Sequence, residues 1–234
     1  MDFGTLHLPT EAPAASPALD WWDVPVHPWL VLGCAVLILF LLPGLYRLLP
    51  SVLSCLSRSR GNLEIEHSVS LSRTRNFYSR MLVIPYIVTL DRFLVYNPDF
   101  LAGWDRPWLL LLELYLVFFG YLLLRLILHT IILGSAKKRL PGEKRLAVQR
   151  GLHNYFICFM LVMLFTLCIH YVIKADDQVF RNVFLAELAL FWLISVIREG
   201  QILRSECGGL TTILYLCGLE FLPAGAVVAS AVVF

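Results

Sequence analysis

The chain has 234 residues, 59% of them hydrophobic and 15% charged, with a mean hydropathy of +0.74. Soluble domains are about 45–50% apolar and about 25% charged, so this composition excludes an ordinary soluble enzyme domain, a disordered chain and a short Cys-dense secreted fold. The formal charge of +2 is the difference of 19 basic and 17 acidic residues and says little about partners. An all-α, polytopic membrane bundle is what remains.

The first 27 residues contain Pro9, Pro13, Pro17 and Pro25 and no basic residue. They read as an extended outer tail and not as a signal peptide, which would open with a basic region. From there a helix needs about 20 predominantly apolar residues to cross a bilayer. Six segments qualify, near 29–49, 77–96, 108–133, 152–173, 179–197 and 210–233, all within a membrane domain of 28–234. Their apolar runs are continuous, which indicates helices and not barrel strands. Trp21, Trp22 and Trp29 mark one headgroup layer, and Trp104 and Trp108 mark it for the third span.

The second segment carries Arg80, Pro85, Asp91 and Arg92, and hydropathy alone would reject it. Loop charge retains it. The 50–76 loop holds Arg58, Arg60, Arg73 and Arg75. The 134–150 loop holds Lys137, Lys138, Arg139, Lys144, Arg145 and Arg150, and the 198–207 loop holds Arg198 and Arg204. With six spans these twelve residues share one side, against Arg106, Lys174 and Arg181 on the other. The positive-inside rule then predicts cytoplasmic basic loops and both termini outside. In the 50–76 loop, Leu63, Ile65, Val69 and Leu71 alternate imperfectly with polar residues, as in an amphipathic element lying on the membrane.

No phosphate loop, dinucleotide fingerprint, GxSxG or HExxH string occurs. The six cysteines form no CxxC pair and read as small hydrophobes. His129, His153 and His170 show no ligand spacing on any one helix, so no metal and no cofactor is expected. The basic 134–150 loop lacks interleaved aromatics, which argues for anionic lipid contact and against nucleic acid.

The informative residues are ionisable groups inside spans: Asp91, Arg92, Glu113, Arg125, Glu187 and Glu220. Each costs at least about 2.5–3.5 kcal/mol at a helix centre, so such groups face the bundle interior and pair. From about 1.5 Å of rise per residue, Arg125 and Glu220 lie at similar depths, and Arg92 lies near Glu187 or Glu113. Those two pairings are the cheapest. His129 stands four residues after Arg125 and shares its face. Pro223 has no N–H to donate to the carbonyl of Leu219, so backbone and the Glu220 carboxyl form one polar pocket. A register-fixing ion pair and a functional pocket for a proton, a cation, a lipid headgroup or a partner's Arg both remain open. Arg198, Glu199 and Arg204, with Glu206, form either a solvated cap or a partner-docking surface. Gly218, Gly225 and Ala229 allow close helix approach within the chain or to another.

Residues 213–223 read ILYLCGLEFLP. This string resembles the C-terminal ILYLC-x-LE-x-LP signature of a domain-of-unknown-function family of bacterial multi-span inner-membrane proteins. The resemblance extends loosely over the last 130 or so residues. It implies a location in the bacterial cytoplasmic membrane and assigns no reaction. A Lys tends to follow the last span in that family; here the chain ends Val232, Val233, Phe234.

The expected function is therefore a non-enzymatic membrane component of an envelope complex for secretion or surface biogenesis, with lipids and a membrane protein as partners. Homo-oligomerisation stays open. The rivals are a small-solute or proton-coupled carrier using Glu220, Arg125 and Glu187, and an enzyme on a lipid or polyprenyl carrier using Asp91, His129, His170 or Glu220 as acid or base.

Overall fold

The computed structural model describes residues 21, 24–93, 95, 107–135 and 142–233, with side chains except at 59–60, 107–110, 133–135, 143 and 230–233. The expectations for the outer tail, Trp22, Trp104, the Trp108 side chain and Lys137, Lys138 and Arg139 lie outside what is described. Every regular element among the described residues is helical: α1 (Val26–Ser57), α2 (Ser59–His67), α3 (Val69–Met81), α4 (Val83–Arg92), α5 (Pro107–Ser135), α6 (Gly142–Ile173), α7 (Asp177–Arg204), α8 (Gly209–Leu216), a π-helical turn (Cys217–Phe221) and α9 (Leu222–Val233). Five stretches are long and apolar enough to span a membrane: Val26–Ser57, Leu111–Ile132, Lys144–Ile173, Asp177–Arg204 and Gly209–Ala229.

The surface is apolar, with Phe40 78% and Val172 83% exposed. Soluble monomers do not expose apolar side chains on this scale, whereas lipid solvates them. The interior is aromatic. The Tyr86 ring on α4 touches Phe118 of α5, Phe156 and Phe159 of α6 and Phe184 of α7, so one short helix ties three long ones.

The segment expected as the second span is broken at Leu82 into α3 and α4. Pro85 explains the break, because its missing N–H leaves the carbonyl of Met81 without an α-helical partner. The two pieces nonetheless travel the length of the bundle. At one end Glu66 on α2 meets Arg150 on α6 (3.2 Å), Arg198 on α7 donates to the carbonyl of Leu56 at the end of α1 (2.6 Å), and Lys144 pairs with Glu206. At the other end Arg92 on α4 pairs with Asp177 at the start of α7 (3.1 Å), and Trp21 donates to Asp91 (2.7 Å). Lys144, Arg150 and Arg198 thus gather at one end with Glu66 and Glu206, and α3–α4 lead away from it.

Two local expectations are corrected. Residues 50–57, read as loop, continue α1. The 50–76 stretch is not a free amphipathic element on the membrane surface: α2 and α3 pack on α6, and Arg75 is fully buried. Its guanidinium lies 2.6 Å from Glu66 and reaches Asn154 (3.4 Å), while Asn154 donates to Asn62 and Asn62 donates to Tyr155. Burial lowers the Arg75 pKa and the Glu66 carboxylate beside it opposes the shift. Gly61 is required at the α1–α2 corner, because a Cβ there would sit 2.8 Å from the backbone of Ser54 and Cys55.

Candidate functional site: a buried charge cluster on three helices

Arg125 is the centre of the site. On α5, the buried residues Leu114, Arg125 and His129 lie on one stripe of the helix, so the guanidinium and the imidazole point into the bundle on successive turns. On α7 the stripe is Phe180, Phe184, Phe191, Ser195, Glu199 and Ile202. Its period of about 3.6 brings Ser195 and Glu199 to the same face. On the last span Leu219 and Glu220 are consecutive and both fully buried. The π-helical turn, in which the Leu222 N–H bonds to the carbonyl of Cys217 five residues back, widens the helix there and holds both inside. Pro223 favours this register, since it lacks the N–H that would close a bond on Leu219. Gly218 admits α5 at this level: a Cβ would meet Ile132 at 2.8 Å.

The geometry is tight. Arg125 donates to Glu220 Oε1 from Nε (3.0 Å) and from Nη2 (2.5 Å), to Glu199 Oε1 from Nη2 (3.0 Å) and to the carbonyl of Gln149 on α6 from Nη1 (3.3 Å). Ser195 adds a hydroxyl to Glu199 Oε1 (3.2 Å). His129 Nε2 lies 3.5 Å from Glu220 Oε1, beyond a normal hydrogen bond. His129 Nδ1 and the second oxygens of both carboxylates, Glu199 Oε2 and Glu220 Oε2, are buried with no hydrogen-bond partner. One nitrogen of His129 and one oxygen each of Glu199 and Glu220 lie within 4.8 Å of one another, and that donor set could hold a cation. Gly151 on α6 lies against the site, where a Cβ would stand in ordinary contact with Glu199, Asn62 and Tyr155.

The remaining candidate residues are dispersed. Arg92 does not take the expected pairing with Glu187 or Glu113; its ion pair is with Asp177. Asp177 tops α7 one residue past its N-cap, where the helix dipole also favours an acid. Glu187 accepts from Thr166 on α6 (2.5 Å) and lies twelve residues, about 18 Å along α7, from Glu199. Glu113 is half-buried with one oxygen unpartnered. Asp91 is bound by Trp21 (2.7 Å) and lies 3.9 Å from His27, and His170 faces Asp177 (3.2 Å). Trp21, read as an interfacial anchor, is instead stacked on His27 over this site, with its ring centroid 4.1 Å away. Asp91, His170 and the His129–Glu220 pair therefore do not converge on one lipid-open cavity.

The docking surface read from Arg198, Glu199 and Arg204 is also corrected. Glu199 is fully buried against Arg125. Arg198 caps the C-terminal carbonyls of α1, donating to Leu56 and Ser57. Arg204 remains exposed. Sequence reasoning placed Glu199 on a docking surface and missed it as a partner of Arg125, although the Ser195–Glu199 spacing carried the signal. It had no signal for His27, which lies beside Asp91, away from the Arg125 cluster.

The described grooves contain no part of this chemistry. The larger, about 340 Å³, is apolar and lies between α1 and α6, lined by Leu42, Tyr46, Leu161 and Phe165 among others. No protein-family model, no curated protein and no solved structure matches the chain.

Proposed function

We propose that the chain is a non-enzymatic, six-crossing component of a bacterial inner-membrane complex serving the cell envelope, with both termini outside and the three basic loops in the cytoplasm. The observation that carries this reading is that acids of the bundle close off two of its arginines, Arg92 and Arg125. Arg125 is bound by Glu199 and Glu220, and Arg92 by Asp177, and no described groove has a polar lining for a substrate. Gathering of Glu66–Arg150, Arg198–Leu56 and Lys144–Glu206 at one end supports the shared side of the basic loops. The 213–223 string supports the bacterial inner membrane. On α9, Gly225 and Ala229 are exposed one turn apart, which suits a close-packed helix from another protein.

A second reading has one observation in its favour. Two carboxylates meet a single guanidinium in the cluster, and a proton-coupled carrier needs a group that loads and unloads a proton.

The test is extraction of tagged protein from its native membrane in mild detergent. A stoichiometric membrane partner, lost when Gly225 and Ala229 are both replaced by Leu, is the expected result. A monomer without partner that supports solute flux in liposomes would overturn the first reading in favour of the second.

A further inference from the structure

The cluster does not balance in charge. With both carboxylates ionised, Glu199 and Glu220 carry two negative charges against one on Arg125, and His129 adds none while neutral. A net charge left inside a bundle is costly, so such groups pair or lose their charge. The hydrogen-bond inventory shows the same deficit by an independent route. Glu199 Oε2, Glu220 Oε2 and His129 Nδ1 are all buried without a partner, and His129 is only 2% exposed. With His129 Nε2, also unpartnered, four orphaned polar atoms around one guanidinium leave room for one more positive ligand.

Charge count selects its valence. A divalent ion beside Arg125 would turn the net charge from minus one to plus one. A single monovalent cation brings it to zero. Among monovalent cations a proton needs no ligand shell, whereas a larger ion would find only three protein ligand atoms here, one nitrogen of His129 and one oxygen each of Glu199 and Glu220. A carboxyl proton also turns an orphaned acceptor into a donor, which a metal ion does not. Every group facing the pair is consistent with this. Arg125, His129 and Tyr121 face it from α5, Ser195 from α7, Tyr155 from α6 and Asn62 from α2, while the Gln149 carbonyl of α6 accepts from Arg125. None of them is a second fixed cation.

We propose that the cluster is a one-proton site, the proton held on Glu199 and shared with Glu220 beside His129. Glu220 is the ionised partner because Arg125 grips it with two donors; Glu199 receives one from Arg125 and one from a neutral hydroxyl. Glu199→Gln then mimics the loaded state and Glu220→Gln breaks the pair.

Infrared difference spectroscopy of the protein in nanodiscs tests this. At neutral pH a carboxylic-acid C=O stretch is expected that shifts in D2O, disappears in Glu199→Gln, moves in Glu199→Asp and survives in Glu187→Gln. Absence of an acid band in the wild-type protein overturns the proposal, even if no variant assembles. So does a band that persists unchanged in both Glu199 variants. Melting is measured in parallel after chelator treatment, with Na+ or Zn2+ added back at fixed pH. No shift is expected; a rise in Tm with either ion assigns the site to that metal and overturns the proton.

Discussion

Replacing Arg125 by Met removes the one cation from a pocket that keeps two carboxylates. The side chain makes four hydrogen bonds, to Glu220 twice, to Glu199 and to the carbonyl of Gln149. Side-chain hydrogen bonds inside membranes contribute on average about 0.6 kcal/mol each, so the bonds alone account for about 2 kcal/mol. The larger effect is electrostatic. Removing one member of a buried ion pair typically costs about 3–5 kcal/mol, because the remaining charge has no counterion. Arg125→Met is therefore expected to destabilise the bundle by about 3–5 kcal/mol, read as unfolding free energy in mixed micelles. The decisive comparison is the triple variant Arg125→Met, Glu199→Gln, Glu220→Gln, which removes the charges together. It should recover more than half of the loss, as replacing a whole buried charge set often does. A cost below about 1 kcal/mol for the single change, or a triple variant no better than the single, would refute the claim that unbalanced charge and not packing governs this site.

Four further outcomes follow from the packing. Glu66→Gln should loosen α2 and α3, since it strips the counterion from fully buried Arg75, and hydrogen exchange across 59–81 should rise. Arg150→Ala, on the exposed side of Glu66, should cost no more than about 1 kcal/mol in the same assay. Gly44→Ala should destabilise strongly because its Cβ would lie 1.7 Å from the Tyr78 hydroxyl oxygen; Tyr78→Ala should rescue it, and failure of rescue in thermal melts would place the strain elsewhere. Gly61→Ala should have no such rescue, since its Cβ meets backbone on α1.

The long helices were legible because lipid demands length and apolarity, and both can be counted in the sequence. Arg125 and Glu220 were legible as partners because depth follows from residue number along each span. Glu199 was not. It lies five residues before the end of α7, next to Arg198, and that context resembles a wet helix end. Only the stripe of Phe184, Phe191 and Ser195 gives its inward direction away. The Arg92 partner was misjudged for the converse reason: Asp177 looked like loop, and the start of α7 is where the C-terminal ends of α4 and α6 meet. The α2–α3 pair was hidden by composition. Its Ser- and Arg-rich sequence looks solvated, and Arg75 is buried only because α6 supplies Asn154 and α2 supplies Glu66. The π-helical turn was half visible, in Pro223, but the bond from Leu222 to Cys217 is set by the packing of Gly218 against α5.

The passage of α3–α4 across the membrane decides the topology on which the account rests. A cysteine-free version carrying single cysteines at Ser70, Asn97, Gln178 or Ser205 would be labelled in intact cells with an impermeant thiol reagent. Six crossings predict that Asn97→Cys and Gln178→Cys react from outside, and that Ser70→Cys and Ser205→Cys react only after permeabilisation. Asn97→Cys protected together with Ser70→Cys would mean that α3–α4 never crosses, and the six-crossing component would be wrong.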